Sequence, residues 1–177
     1  YKSQYNFYVG IVPASDTGAI EMLLWSLLGE KPLEVMAWEC FANDWVKDII
    51  NQLKIPNTKV TQAEYGKIVN LNAVNFKKDI VFTWNGTTSG VCVPDGDWIP
   101  NNREGLTICD ATSAAFSMRL PWKKLDATTF SWQKVLGGEA QHGIIVLSPK
   151  AIHRLENYQP NRTIPKIFQL SNKGKVN

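Results

Sequence analysis

Small and hydroxylated residues stand together at 15–18, in the order Ser15, Asp16, Thr17 and Gly18, where a helical pattern begins. At a helix N-terminus, free backbone N–H groups and nearby hydroxyls bind anions, most naturally phosphate. The same residue types also cap helices without binding a ligand. Taken alone, the loop therefore indicates either a plain cap or a phosphate site. It is not a Walker loop, because the pattern GxxxxGK[ST] is absent.

Two ionisable residues, Asp110 and Lys134, follow apolar runs farther along the chain. An acid at the end of a buried strand needs a cation or a hydrogen-bond donor as its partner. A lysine in an apolar pocket has a lowered pKa and can act as an amine nucleophile. The simpler alternatives are a turn cap for Asp110 and a surface position for Lys134. Phe41 and the loop NGTTSG at 85–90 also follow apolar runs, and each is compatible with a ligand contact or with ordinary structure.

Taken together, these groups match the needs of pyridoxal phosphate. This cofactor has a phosphate, a flat ring, a ring nitrogen that pairs with an acid and an aldehyde that reacts with a lysine. We therefore interpret Asp110 as the partner of the ring nitrogen. Lys134 is the residue expected to bind the aldehyde covalently and later to carry the proton.

Alternating strands and helices are expected to position these groups. Apolar runs predict strands at 7–12, 33–38, 58–61, 80–84, 106–109, 127–132 and 144–147, and helical patterns predict helices at 19–28, 44–53 and 148–155. This order predicts an α/β fold of three layers, with a mostly parallel sheet and helices on both faces. The stretch 86–103 is rich in loop residues and suggests an irregular hairpin. In such sheets, ligands bind at the carboxyl ends of the strands.

Composition narrows the classes of function. The 177 residues suit one domain, and 44% hydrophobic with 20% charged residues is typical of a globular chain. A net charge of +3 without a basic run argues against nucleic-acid binding, and no apolar stretch is long enough to span a membrane. Three cysteines without a CxxC pair and two histidines favour a reducing, cytoplasmic setting without a metal site.

Four long motifs carry a resemblance to a known family. They are VPASDTGA (12–19), FTWNGTTSG (82–90), ICDATSA (108–114) and TFSWQKVLGGE (129–139), with IPKIF (164–168) beyond them. The chain closely resembles the phosphoserine aminotransferases of the type found in α-proteobacteria and some archaea, within the class V, fold type I enzymes that use pyridoxal phosphate. The resemblance covers nearly the whole chain.

The resemblance implies a role for each matching residue. Lys134 corresponds to the lysine that binds the cofactor covalently, and Asp110 to the partner of the pyridine nitrogen. Thr87 and Gln133 correspond to residues that contact the ring and its substituents. Three residues correspond to the phosphate loop: Ser15, Asp16 and Thr17. Many relatives carry Gly-Arg at the last two of these positions, so Asp16 is expected to contribute its backbone N–H rather than its carboxylate. For the aromatic that stacks on the ring, we favour Phe41 over Trp45, because Phe41 lies closer to the end of its strand.

The resemblance also implies a reaction and a larger protein. The expected reaction is transamination between 3-phosphoserine and 2-oxoglutarate, which gives 3-phosphohydroxypyruvate and glutamate in serine biosynthesis, within a homodimer. Residues 1–177 are expected to form most of the cofactor-binding large domain, incomplete at both ends, with the small C-terminal domain outside the chain and no activity on its own.

Two alternatives stay open: another class V enzyme, such as an alanine–glyoxylate or serine–pyruvate aminotransferase, and an inactive cofactor-domain fragment. Hydrolase interpretations have less support. Ser131 lies in no GxSxG motif, and Cys109 with His142 or His153 is better explained as a buried cysteine at a strand end.

Overall fold

A seven-stranded sheet forms the centre of the molecule in the computed structural model, which describes residues 6–176. Across the sheet, the strands lie in the order β1 (Tyr8–Pro13), β7 (His142–Leu147), β6 (Ala127–Ser131), β5 (Thr107–Asp110), β4 (Asp79–Thr83), β2 (Leu33–Ala37) and β3 (Thr58–Gln62). The pairs from β6 to β3 are parallel, and β7 is antiparallel to both β1 and β6. The predicted mostly parallel α/β sheet is confirmed.

Two of the three α-helices begin earlier than the apolar pattern predicts. They are α1 (Ser15–Leu27), α2 (Cys40–Lys47) and α3 (Pro149–Asn157), and a π-helical segment (Asp48–Leu53) continues α2. The first turns of α1 and α2 carry few large apolar residues, so periodicity could not locate them. Glu39 caps α2 by accepting a hydrogen bond from the Ala42 N–H at 2.6 Å. Ser148 caps α3 in the same way, as its Ser-Pro pair predicts.

The two faces of the sheet are covered differently. Within residues 6–176, all three α-helices pack on one face, over the buried side chains of Val35, Val81, Ile108 and Ile145. The other face carries large side chains from β2, β4 and β6, and loops cover them with apolar residues such as Val69, Val93 and Ile99. The predicted fold class therefore holds, but the described part of the chain places loops where a second helical layer was expected.

Smaller elements complete the described chain. Single-turn 3₁₀ helices lie at Leu71–Ala73, Trp122–Lys124 and Lys166–Phe168. The predicted irregular hairpin is present only as one bridge between Asn85 and Cys92. A short hairpin of β8 (Ser171–Asn172) and β9 (Lys175–Val176) was not predicted, because its strands are two residues long and mostly polar. No helix in this part of the chain has the length and apolarity needed to cross a lipid bilayer.

Candidate functional site

One pocket collects the residues that follow the strands. Because β1 and the strands from β6 to β3 all run the same way, their carboxyl ends share one edge of the sheet. The pocket at this edge is lined by Ser15, Asp16, Thr17, Phe41, Trp45, Thr83, Thr87, Asp110, Thr112, Gln133 and Lys134. All eight residues predicted for the site are therefore brought together. Thr83 and Thr112 were not predicted. Thr83 lies two residues before the predicted loop at 85–90, and Thr112 lies two residues after the predicted acid Asp110.

The N-terminus of α1 faces this pocket through a tightly held backbone. Ala14 and Ser15 both adopt left-handed conformations, with φ of 67° and 57°. The Ser15 N–H donates to the Gln141 carbonyl at 3.3 Å, and the Gly18 N–H donates to the Ala14 carbonyl at 2.8 Å. Within residues 6–176, the N–H groups of Asp16 and Thr17 have no acceptor. With the nearby hydroxyls, these two free donors can bind an anion.

Asp110 lies at the end of β5, where only 4% of it is exposed. Its Oδ1 accepts from the Thr112 N–H at 3.0 Å, and its Oδ2 accepts from Trp45 Nε1 at 3.2 Å. These are the hydrogen-bond donors that a buried acid at this position requires. The carboxyl is thereby fixed from two sides, and no salt bridge involves it within the described residues.

Asp16 turns its carboxyl into the protein, toward Asp110. Asp16 is 6% exposed, and its Oδ1 has no hydrogen-bond partner among the described residues. The hydroxyls of Thr112 and Thr129 lie near the Asp16 carboxyl, and they too have no hydrogen-bond partner there. Burial, and then the charge of Asp110, raise the pKa of the Asp16 carboxyl well above its usual range. The Asp16 carboxyl is therefore buried beside Asp110, and the use of its backbone N–H alone for an anion stays a prediction.

Lys134 follows β6 and is half-buried at the pocket wall, with the exposed Gln133 beside it. The apolar surroundings expected for Lys134 are not supplied by its neighbours in sequence, because Val135 and Leu136 are 51% and 45% exposed. Instead, a turn holds the segment in place, since the Gly137 N–H donates to the Lys134 carbonyl at 3.0 Å. The backbone turn thus fixes the segment that carries Lys134 after β6.

The two candidate aromatic residues occupy different depths. Phe41, in the first turn of α2, is 45% exposed at the pocket, whereas Trp45 is only 6% exposed and its indole N–H is bound to Asp110. This arrangement leaves Phe41 with the accessible ring. Thr87 lies exposed in the loop after β4, which is closed by a hydrogen bond from the Gly86 N–H to the Val91 carbonyl at 2.8 Å.

Other chemistries find less support in the geometry. All three cysteines are free; Cys109 is fully buried, and burial raises the pKa of its thiol well above the usual range. A protonated, buried thiol is a poor nucleophile. No group of three or more His, Cys, Asp or Glu side chains suited to a metal ion occurs between residues 6 and 176.

Comparison with known proteins identifies the chain's relatives. No model of a known protein family matches it. The phosphoserine aminotransferase of Methanosarcina mazei is 60% identical to it over 172 residues, which is 97% of this chain. The Methanosarcina barkeri enzyme matches equally well. Over nearly its whole length, the chain is therefore similar in sequence to part of these phosphoserine aminotransferases. It spans 46% of the length of these two curated relatives.

Solved structures of phosphoserine aminotransferases share the fold. The enzyme from Cytophaga hutchinsonii superposes with a TM-score of 0.75 at 24% identity, over 97% of this chain and 50% of that one. The pyridoxal-phosphate-bound enzyme from Trichomonas vaginalis superposes with a TM-score of 0.68 at 15% identity, over 94% and 46%. At these identities the similarity establishes the fold, which is that of the fold type I aminotransferases.

Proposed function

We propose that this chain is the cofactor-binding part of an aminotransferase that uses pyridoxal phosphate. The observation that carries this proposal is the meeting of Lys134, Asp110 and the two free N–H groups of Asp16 and Thr17 around one pocket. The donor set fits the cofactor, because it offers an anion site, a fixed carboxyl and an amine. The phosphoserine aminotransferases at 60% identity support the same reading.

Each residue has a distinct task in this proposal. The N–H groups of Asp16 and Thr17, with the hydroxyls of Ser15 and Thr17, would hold the phosphate. The Phe41 ring would cover one face of the pyridine ring. Thr87 and Gln133 would contact the ring and its substituents, and Lys134 would bind the aldehyde.

The chain's own residues would also control the protons. When bound, pyridoxal phosphate supplies an aldehyde that takes up an amino group and a ring that withdraws electrons. Asp110 would keep the ring nitrogen protonated, because a buried carboxylate stabilises an adjacent positive charge. The Lys134 amine would take the proton from Cα of the amino-acid substrate. In the return half-reaction it would give a proton to Cα of the new amino acid.

We propose 3-phosphoserine and 2-oxoglutarate as the substrates, with 3-phosphohydroxypyruvate and glutamate as products, in serine biosynthesis. The names of the Methanosarcina relatives support this choice of substrate. Residues 1–177 would form most of the large domain of a cytoplasmic homodimer.

Covalent trapping of the cofactor tests the proposal. The purified protein is mixed with pyridoxal phosphate and reduced with borohydride, and the modified peptides are mapped by mass spectrometry. We expect the label on Lys134, with little on Lys47, whose side chain is exposed on α2. The Lys134→Arg variant should lose the label, and the Lys47→Arg variant should keep it.

Label spread evenly over surface lysines in a folded protein would contradict the cofactor site. Substrate choice is decided separately, with the full-length protein, by whether phosphoserine converts the bound cofactor to its amine form faster than serine or alanine does. If alanine is preferred, the cofactor assignment stands and the substrate assignment fails.

A further inference from the structure

Two buried carboxyls meet beneath the pocket. Asp16, from the first turn of α1, and Asp110, from the end of β5, line the same pocket, and their carboxyls interact. Both residues are almost fully buried. Two neighbouring carboxylates repel each other strongly where water is excluded, and burial without a counter-ion adds a further cost.

No ion pair neutralises these two carboxyls within residues 6–176. In the described part of the chain, neither carboxyl takes part in a salt bridge. Asp110 uses its two oxygens to accept from Thr112 N and Trp45 Nε1, so it is arranged as an acceptor. The Oδ1 of Asp16 is buried and has no partner. A proton on Asp16 would give the pair a donor and remove the repulsion.

We propose that Asp16 and Asp110 hold one proton between them, carried mainly by Asp16, so that Asp16 is a positioning residue for the Asp110 carboxylate. The shared proton does not depend on the proposed function. Its consequence for a bound cofactor does rest on that function: a hydrogen bond donated by Asp16 makes Asp110 a weaker base toward the ring nitrogen.

The other titratable groups near the pair come from four elements. Cys109 precedes Asp110 on β5, and its thiol stays protonated because burial raises its pKa. Lys134 lines the same pocket after β6, and His142 begins β7 beside Ser15. Glu21, on α1, lies farther along the same side and interacts with Asp48 of the π-helical segment. The experiment must therefore separate Asp16 from these groups by substitution.

Unfolding measured against pH makes that separation. The folded-state pKa of Asp16 is raised, so its proton stabilises the folded protein fully below about pH 4 and is lost as pH rises through the folded-state value. Over that interval the wild-type folding constant should fall by up to about tenfold per pH unit on account of this proton. Asp16→Asn keeps the shape and a donor but cannot ionise, so its folding constant should lack that fall.

Asp44→Asn is the matched control, because Asp44 is an exposed acid on α2. It should follow the wild-type pH dependence. If Asp16→Asn also follows the wild type, Asp16 is ionised in the folded protein and the proposal is overturned.

Carbon-13 NMR of the wild type covers the case in which the variant fails to fold. The Asp16 carboxyl resonance should still show a protonated group at pH values where a free aspartate is ionised. An Asp16 resonance that titrates like that of a free aspartate would overturn the proposal.

Bound pyridoxal phosphate gives a second readout. In Asp16→Ala, which removes the donated hydrogen bond, the pH midpoint at which the ring nitrogen of the cofactor loses its proton, followed by nitrogen-15 NMR, should move upward. The shift should be smaller in Asp16→Asn, which retains a donor. An unchanged midpoint in Asp16→Ala would overturn the positioning role. If even the wild type binds no cofactor, the proposed function fails, while the unfolding and NMR results still decide whether the proton is shared.

Discussion

Glu21 shows how far a carboxyl on this side of the molecule can depart from ordinary behaviour. It lies on α1 one turn beyond Thr17, and Trp25 Nε1 donates to its Oε2 at 2.9 Å. The Asp48 carboxyl approaches it from the π-helical segment. Burial, followed by the contact with Asp48, raises the pKa of Glu21 to about 7. Glu21 therefore titrates near neutral pH in the folded protein.

We expect Glu21→Gln to change the pH dependence of stability. A raised folded-state pKa gives stability that is complete below about 4.5 and is lost as pH rises through about 7. Because Glu21 is only half-buried, solvent screening reduces the effect, and we expect the wild type to lose about 1 kcal/mol relative to Glu21→Gln between about pH 5 and about pH 8. Urea unfolding at the two pH values measures this difference.

Glu64→Gln is the control for Glu21. Glu64 is exposed and paired with Lys67, so its variant should follow the wild type across the same range. Equal pH profiles for the wild type and Glu21→Gln would contradict the raised pKa.

At the scale of elements, glycines let the first turn of α1 approach its neighbours. A Cβ at Gly18 would lie 2.4 Å from the Pro13 carbonyl oxygen and 2.8 Å from the Ala14 Cβ. A Cβ at Gly143 of β7 would lie 2.2 Å from the Ser15 carbonyl oxygen. The loop with the free N–H groups is thus packed from both sides against backbone that cannot move aside easily.

Gly18→Ala should therefore destabilise the protein by about 1–3 kcal/mol, the usual cost of inserting a methyl group where there is no room. It should also weaken anion binding, because the first turn must shift. Gly10→Ala on β1 is the matched control, since a Cβ there meets nothing within 4 Å and its stability should be nearly unchanged. Chemical denaturation of both variants makes the comparison, and similar losses would show that the close packing at Gly18 is unimportant.

The elements also show what sequence could and could not predict. The run at 80–84 predicted β4 because its apolar residues are consecutive. The residues after each strand predicted a shared pocket, because parallel strands end at one edge of the sheet. The direction of the Asp16 carboxyl and the donor role of Trp45 depend on packing between α1, α2 and β5. Local sequence carries no signal for such contacts, and the same holds for the loops that cover the second face of the sheet.

At the scale of the whole molecule, Arg154 ties distant segments together. From α3, its guanidinium donates to both Asp79 oxygens, at 2.9 and 3.2 Å, and to the Leu27 carbonyl at 3.0 Å. It also pairs with Glu30. Asp79 in turn accepts from the Leu106 N–H at 2.8 Å, so one buried network joins α1, α3, β4 and the start of β5.

Arg154→Met should cost about 3–5 kcal/mol of stability, because it leaves the buried Asp79 carboxylate without its counter-ion. Lys67→Met, which removes the exposed partner of Glu64, should cost less than about 1 kcal/mol. Thermal or urea unfolding of the two variants tests the contrast. A loss at Arg154 as small as that at Lys67 would mean that water reaches Asp79.

The antiparallel pairing of β1 with β7 also has a consequence for the order of folding. β1 is an edge strand whose partner in the sheet is β7, so about 130 residues must be looped out before Pro13 can meet His142. The Ser15 N–H likewise cannot donate its hydrogen bond until the Gln141 carbonyl is in place. During synthesis, the anion loop can therefore take its final form only after β7 has emerged from the ribosome. A ligand that recognises this loop would bind late folding species but not early ones. The time at which ligand binding first appears would therefore report when the pairing of β1 with β7 is complete.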